Sequence, residues 1–195
     1  MAMPEIHKVG RYAGGNVAMN GANPMYATWQ AANHATNGGV IPDLAAICHS
    51  SSSSRRAQAG SGASYGTCFA VIEHFDASRG VLMYKFGDSA LKLDLLGTYT
   101  TTTKKQVTTL RGHAEISALA QAINSVALPD GDYSNFVTRI YIELSPCHLC
   151  APQLSPYVGN SVLMYSYTYG NSGEMDMWVS DNQASIHEQG GKFKW

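Results

Sequence analysis

Two short stretches of this 195-residue chain bring together side chains that bind metal ions. The first is the tripeptide HAE, which begins at His113, and the second is the pentapeptide PCHLC, which ends at Cys150. Cys147 and Cys150 are three residues apart, so on a helix both lie on the same side and can grip one ion. Two thiolates and one neutral imidazole form a ligand set that suits Zn²⁺. We therefore expect His113, Cys147 and Cys150 to bind one zinc ion.

The number of ligands and a nearby carboxylate indicate what such a zinc ion would do. Three protein ligands leave the fourth tetrahedral position to water, whereas a structural zinc site is closed by four. Zinc lowers the pKa of its bound water to about 7, so that hydroxide becomes available at neutral pH. Glu115 can then carry protons from this water to the group that leaves. The sequence therefore predicts a hydrolytic zinc site with Glu115 as the proton shuttle.

Each motif alone has less specific interpretations. A CxxC pair also occurs in redox centres, in disulfides and in half-sites for structural zinc. The joint occurrence of both motifs, in this order and separated by one helix and one strand, favours a catalytic site. His148 lies beside Cys147, where ligation by both is geometrically awkward, so we expect a pocket wall or a solvent-facing ring. We interpret Glu143 as a non-catalytic carboxylate, and Cys48 and Cys68 as buried thiols.

Both motifs have to lie at the start of a helix. Side chains two residues apart diverge by about 200° around a helix, so His113 and Glu115 share a site only in a first turn, where both project past the helix tip. A helix start also carries a partial positive charge, which favours the thiolate forms of Cys147 and Cys150. The motifs therefore require two helix starts that face each other beside a sheet.

Hydrophobic periodicity and turn signals predict the elements that carry these helix starts. The predicted strands are 67–75, 81–86, 137–144, 161–169 and 175–179, and the predicted helices near the motifs are 113–128 and a short one that ends near 154. The strand at 175–179 is expected to be antiparallel to its predecessor, because so short a link cannot contain a crossover helix. The sequence thus predicts an α/β fold of three layers, with a mixed five-stranded sheet flanked by helices.

The chain is divided by composition into an N-terminal extension, residues 1–64, and a zinc-binding catalytic domain, residues 65–195. Residues 1–22 are predicted to be an irregular lead-in. A helix is expected between Asn23 and the glycine pair that begins at Gly38, and a second short helical piece is expected at 42–48. Five consecutive serines fall within 50–62, which we interpret as a mobile loop.

Charge and hydropathy exclude some classes of protein. The formal net charge of −1 and the pI near 6.6 give no overall basic surface for tight, non-specific binding of nucleic acid. Any contact with a polynucleotide must be local, and the basic residues that we consider for it are Arg55, Arg56, Lys104, Lys105 and Arg111. No stretch approaches the roughly 18 apolar residues of a membrane-spanning helix, and the N-terminus lacks the order of a signal peptide. We expect a soluble protein or a soluble domain of a longer secreted protein.

With the motifs H-x-E and P-C-x-x-C, the chain resembles the cytidine deaminase-like superfamily. The resemblance covers about residues 65–180 and implies a five-stranded sheet with zinc held between the two motif helices. It implies hydrolytic deamination of a nucleobase, with main-chain groups around Ala114 and Ser145 in contact with the target base. The extra N-terminal segment, the local basic pairs and a tyrosine-rich strand are most similar to bacterial toxin-type deaminases of cytosine in DNA. The implied partners are nucleic acid, expected to be DNA, and, for a toxin, an immunity protein.

Several alternatives stay open at this level. The substrate can be a free base, nucleoside or nucleotide instead of a polynucleotide, and adenine offers an exocyclic amine as cytosine does. The site can also belong to a zinc-stabilised binding module without catalysis. Aromatic side chains near the C-terminus offer stacking surfaces for splayed bases, although alternating tyrosines on a strand usually reflect sheet packing. These aromatic residues are Tyr157, Tyr165, Tyr167, Tyr169 and Trp178.

Overall fold

The computed structural model describes residues 3–59, 68–89, 113–126, 134–148, 150–170, 173–174 and 176–178, with the backbone alone for 53–59. Its elements in chain order are β1 (Glu5–Lys8), α1 (Tyr26–Asn37), α2 (Leu44–Ala59), β2 (Phe69–Asp76), β3 (Val81–Asp88), α3 (Ala114–Asn124), β4 (Val137–Leu144), α4 (Cys150–Val158) and β5 (Val162–Tyr167). The strands form one sheet in the order β1-β5-β4-β2-β3. The predicted α/β class and the five-stranded sheet flanked by helices are confirmed.

The sheet is mixed because two kinds of connection build it. β2 and β3 form an antiparallel hairpin, and β2 also pairs antiparallel with β4. β4 and β5 are parallel, and α4 is the crossover helix between them. β4 lies in the middle of the sheet and is buried along its whole length, which explains why its sequence, VTRIYIEL, is an almost continuous strand-forming run.

Helices cover both faces of this sheet. Successive side chains of a strand point to opposite faces, so Ile72 and Ile140 belong to one core and Val71 and Tyr141 to the other. The first core is completed by α3 and α4, and the second by α1 and α2. Three layers result, and residues before 65 share their core with the sheet that the later residues build.

The N-terminal lead-in, predicted to be irregular, contains the strand β1 at one edge of the sheet. β1 pairs parallel with β5, and it is extended by bonds from Glu5 N–H to the Ser161 carbonyl (3.0 Å) and from Val9 N–H to the Tyr165 carbonyl (2.8 Å). A four-residue strand with the sequence EIHK is largely exposed, so it carries little of the alternating hydrophobic pattern on which a strand prediction depends.

The prediction that the last two strands are antiparallel is wrong. In the described part of residues 173–178 the backbone is helical, and the fifth strand of the sheet is β1. β5 already pairs with β4 on one side and β1 on the other, so neither of its edges can accept a returning strand. Glu174 holds the helical segment near the end of β5, since its carboxylate accepts a bond from Thr168 N–H at 2.7 Å and pairs with Lys8.

The prediction of a Ser-rich loop at 50–62 is also wrong as far as residue 59, because α2 continues to Ala59. The carboxylate of Asp43 caps the start of α2 by accepting a bond from Ala46 N–H at 3.1 Å. Leu44, Cys48 and Ser52 recur every fourth residue and are buried, so one face of the helix packs on the sheet despite the serines. Residues 60–62 lie outside the described residues.

The N-terminal segment is fixed to the sheet by a buried ion pair. Arg139 of β4 and Glu73 of β2 are fully buried and joined by two hydrogen bonds, one of them 2.9 Å long. Trp29 of α1 donates its indole N–H to Glu73 at 2.9 Å, and Arg139 donates to the Pro42 carbonyl at 3.1 Å. The charges of the pair therefore connect the central strands to α1 and to the approach of α2.

No helix in the part of the chain that the structure describes has both the length and the apolar character needed to cross a bilayer.

A buried histidine makes the stability of this fold depend on pH. Burial, and next the positive charge of Lys85, lowers the pKa of His74 from 6.5 to about 4. Between these values the unfolded chain binds more protons than the folded one, so the free energy of unfolding falls as the pH falls. The expected loss across the window is about 3 kcal/mol. We predict that His74→Gln reduces this pH dependence, as measured by denaturant unfolding at about pH 7 and about pH 4.5.

His34→Gln is the matched control, because it makes the same substitution at an exposed position on α1. An unchanged pH dependence in the His74 variant would contradict the assignment.

Candidate metal centre

The residues of the two motifs lie where two helices begin. His113 has an extended backbone (φ −107°, ψ 132°) and immediately precedes α3, and its carbonyl accepts a bond from Ser117 N–H at 2.9 Å. The Cys147 carbonyl accepts bonds from the N–H groups of Cys150 and Ala151, both at 3.0 Å, which starts α4. His113 and Cys147 thus each stand just before the first turn of the helix that their motif begins.

The structure brings His113, Cys147 and Cys150 together as the sequence predicts. Their ligand atoms all lie within 4.8 Å of one another. The Nδ1 atom of His113 is 3.0 Å from Cys150 Sγ and 3.7 Å from Cys147 Sγ, and the two sulfurs are 3.3 Å apart. These three residues can hold a metal ion, with Nδ1 as the imidazole nitrogen that faces both sulfurs.

Both cysteines of this cluster are buried free thiols. Cys147 is 5% exposed and Cys150 is fully buried, and neither forms a disulfide. Burial, and next the carboxylate of Glu115, raises the pKa of Cys150 well above its usual range. Because a metal ligand has to be a thiolate, binding of an ion here displaces protons and depends on pH.

Glu115 is the carboxylate that lies against this cluster. It is 5% exposed in the first turn of α3, and burial raises its pKa above the usual value. Its hydrogen bond with Cys150 and the nearby His113 act in the opposite direction. Such a rise makes the carboxylate a better proton acceptor than an exposed one, which suits acid–base chemistry.

A small cavity opens beside the cluster. Its volume is about 170 Å³, and two residues expected from the resemblance to contact a base, Ala114 and Ser145, lie in its wall together with His113, Cys147 and Glu115. The remaining lining residues are Cys68, Ser89, Leu144 and Tyr169. All six residues singled out from the sequence therefore lie in or directly beside one pocket, since Cys150 contacts His113 and Cys147.

Sequence reasoning missed Cys68 and Ser89 as pocket residues and named Tyr169 only as one of five aromatic candidates, although the sheet topology links all three. Cys68 precedes β2, Ser89 follows β3 and Tyr169 follows β5, and the pairing of these strands puts all three at the same end of the sheet as Ser145. The backbone N–H of Cys68 donates to the hydroxyl of Ser89 at 2.9 Å, and that of Tyr169 donates to the hydroxyl of Ser145 at 2.8 Å. The sequence signal that could have found these residues is their position beside predicted strand ends. To use it, one must know the order of the strands in the sheet.

Two side chains near the motifs lie away from the pocket. His148 is exposed, which agrees with a solvent-facing ring. Glu143 is buried on the opposite face of the sheet, where it pairs with Arg11 at 3.2 Å and accepts the backbone N–H of Phe69 at 3.0 Å. Its interactions agree with the interpretation of Glu143 as a non-catalytic carboxylate.

The other candidates fall into different environments. Cys48 and Cys68 are buried thiols as expected. Of the five aromatic candidates, Tyr157, Tyr167 and Trp178 are core residues, Tyr165 packs at the edge of that core, and Tyr169 is 52% exposed and lines the pocket. The side chains of Arg55 and Arg56, and the whole of Lys104, Lys105 and Arg111, lie outside the described residues.

Comparison of the chain with protein-family models, with curated proteins and with solved structures found no match. What can be said of function therefore depends on the two motifs and on the geometry that surrounds them.

A direct test of the metal centre is binding of Zn²⁺ to the purified chain. We predict that one Zn²⁺ binds and that, at about 100 times its Kd, it adds about 2.7 kcal/mol to the free energy of unfolding. Cys147→Ser and Cys150→Ser should each weaken binding by more than about 100-fold, since loss of residues that merely orient a ligand already costs 10- to 100-fold. Competition with a chromophoric chelator measures both.

The control is Cys48→Ala, because Cys48 is buried in the core on the opposite face of the sheet. Equal loss of Zn²⁺ affinity in this variant would show that the effect is general destabilisation and would remove Cys147 and Cys150 as ligands.

Proposed function

We propose that this chain is a zinc-dependent nucleobase deaminase that hydrolyses cytosine to uracil in a polynucleotide. The proposal depends mainly on the position of Glu115. This buried carboxylate contacts the cluster of three metal-binding residues and lines a small pocket. A metal site that only stabilises the fold needs no proton carrier, whereas hydrolytic deamination needs a carboxylate in that role.

The donor set supports zinc as the metal. Sulfur and imidazole ligands suit zinc and not the hard cations Mg²⁺ and Ca²⁺, which take oxygen ligands. Tetrahedral zinc, with bonds of about 2.3 Å to sulfur and 2.0–2.1 Å to nitrogen, separates two sulfurs by about 3.8 Å and a nitrogen from a sulfur by about 3.6 Å. The separations here, 3.3, 3.0 and 3.7 Å, need only small side-chain adjustments to reach those values.

The residues of the pocket then have distinct tasks in the reaction. His113, Cys147 and Cys150 would hold the zinc ion, which when bound would supply a water activated for attack at neutral pH. Glu115 accepts a proton from that water and delivers it to ring atom N3 as oxygen adds to C4. Glu115 then carries the second proton of the water, now on the hydroxyl group added at C4, to the exocyclic amine. The C4–N bond breaks, ammonia leaves and the ring becomes uracil.

Two backbone segments would orient the base in the proposed reaction. Ala114 begins α3, so its N–H belongs to the first turn, whose donors have no partner within the helix and can meet a ring carbonyl. The backbone N–H of Ser145 already donates to the Tyr167 carbonyl at 2.8 Å, so contact of Ser145 with a base would use its carbonyl oxygen or its hydroxyl. Both residues line the pocket on the side of the metal cluster.

The size of the pocket favours a base presented by a larger molecule. Pockets that enclose a whole small molecule span roughly 300–1,000 Å³, whereas this cavity has about 170 Å³. It holds one ring, so a sugar and phosphates would lie outside it. An enzyme of this kind acts on a base that is unpaired or flipped out of its stack. The sequence resemblance alone supports three further parts of the proposal: DNA as the polymer, a toxin role and an immunity protein as partner.

The role of Glu115 is tested by an isosteric change. We predict that Glu115→Gln lowers kcat for cytosine deamination by about 10²- to 10⁴-fold, the range that general acid–base catalysis supplies, while Zn²⁺ affinity stays within a few-fold of the wild type. Glu5→Gln, which alters an exposed carboxylate on β1, is the matched control. Wild-type protein that binds Zn²⁺ but releases no ammonia from any base would favour a binding module without catalysis.

Tyr169 offers a test of the polymer. Its ring is exposed and lines the pocket, where a neighbouring base could stack on it. We predict that Tyr169→Ala raises KM for single-stranded DNA by about 5- to 100-fold, the value of one base–aromatic stack, and leaves free cytidine unaffected. Tyr12→Ala, also exposed but on the other side of the sheet, should change neither.

The same assay separates the substrate classes when single-stranded DNA, double-stranded DNA, RNA and free cytidine are compared. Turnover of free cytidine alone would overturn the polynucleotide proposal and favour a nucleoside deaminase.

A further inference from the structure

The geometry points to Gly87 of β3 as the residue that sets the position of α3, and with it His113 and Glu115, over the pocket. This inference rests on the proposed function for its catalytic part, whereas its metal-binding part stands on the metal cluster alone. Gly87 touches neither the cluster nor the pocket, so its role is that of a positioning residue.

The evidence is a close approach between two backbones. A Cβ atom added to Gly87 would lie 2.1 Å from the carbonyl oxygen of Ala114 and 2.4 Å from the backbone nitrogen of Ala118. Real Cβ atoms essentially never come within 3.0 Å of such atoms, and backbone atoms cannot swing aside as the end of a side chain can. The first turn of α3 therefore rests on the bare backbone of β3.

Glycine is needed at position 87 because there is no room for a Cβ atom, and not because of the backbone conformation. Gly87 is absent from the glycines with positive φ, so its own backbone conformation is open to other residues. α3 matches the close approach with alanines at every fourth position, since Ala114, Ala118 and Ala122 are all buried. Gln121 secures the contact from the helix side by donating its amide N–H to the Phe86 carbonyl.

A displaced first turn would alter the metal cluster because its ligands come from separate elements. His113 and Glu115 move with α3, whereas Cys147 and Cys150 belong to the start of α4. Relief of a 2.1 Å contact to an ordinary 3.4 Å requires a shift of about 1.3 Å, and a misplacement of about 1 Å can already cost about 100-fold in rate. The contact at Gly87 therefore fixes both the ligand geometry and the distance from Glu115 to the base.

The test is Gly87→Ala, examined for Zn²⁺ affinity, for the visible spectrum of bound Co²⁺, which reports coordination geometry, and for kcat and KM. We expect at least a tenfold loss of Zn²⁺ affinity, an altered Co²⁺ spectrum and about a 100-fold lower kcat with a smaller change in KM. Gly21→Ala is the matched control, because a Cβ there meets nothing within 4 Å. It should behave as the wild type in every assay.

A second control separates positioning from plain loss of stability. Leu119→Ala removes a buried side chain from the middle of α3 and destabilises the fold without pushing the first turn. At a matched fraction of folded protein it should keep the wild-type Co²⁺ spectrum and Zn²⁺ affinity. The same losses in Leu119→Ala as in Gly87→Ala, or wild-type metal binding in folded Gly87→Ala, would overturn the inference.

If Gly87→Ala does not fold, Gln121→Leu decides the question, because it cuts the bond to Phe86 without adding bulk at the contact. A several-fold loss of Zn²⁺ affinity supports the inference, and wild-type affinity contradicts it. Both metal readouts need no substrate. Absence of deamination in the wild type would therefore end the proposed function while leaving the positioning role of Gly87 to be judged on metal binding.

Discussion

The constraint on which this molecule depends is that two helix starts must meet at one point at the end of a sheet. The three ligand atoms lie within 4.8 Å of one another, although His113 stands 34 and 37 positions before the two cysteines. β4 makes this possible, because it runs through the centre of the sheet and delivers the chain from the far end of α3 back to the start of that helix. Ser145 and Cys147 follow β4 directly, so the register of one buried strand decides where the second half of the site lies.

The two faces of the sheet carry different kinds of interaction. The face covered by α3 and α4 holds the metal cluster among apolar side chains, whereas the opposite face holds the ion pairs Glu73–Arg139 and Arg11–Glu143. Such buried pairs add little net stability, but loss of one partner leaves the other charge buried and unpaired, which costs about 3–5 kcal/mol. Glu143 also binds the backbone N–H of Phe69, next to Cys68 in the pocket wall. The charges on one face thereby hold the strand ends that form the site on the other.

The parts that could be predicted from the sequence are those with strong local signals. β4, the β2–β3 hairpin, α1 and α3 follow from hydrophobic period, turn residues and caps, and the metal cluster follows from residue type and spacing. β1 was missed because four exposed edge residues carry no pattern. The start of α2 was predicted as a helical piece at 42–48, but its continuation was missed because its serines concealed a helix whose buried face packs on the sheet. Residues 173–178 were misjudged because the sequence does not reveal that both edges of β5 are occupied. Cys68, Ser89 and Gly87 depend on strand order and on close approach between elements, which become visible only when the sheet is assembled.

The environment of Glu115 bears on the choice between a structural and a catalytic metal site. Burial of a carboxylate costs free energy, which its raised pKa expresses, and a site meant only to hold the fold together would gain by replacing Glu115 with an apolar residue. A closed structural site would also fill its fourth position with a protein ligand, and among the described residues the cluster has three. The space beside those three ligands is a cavity lined by the last residue of β4 and by residues next to β2, β3, β4 and β5. The proposed hydrolysis at a bound ring rests on these three features together: an unfavourable buried acid, three ligands and an open cavity at one point.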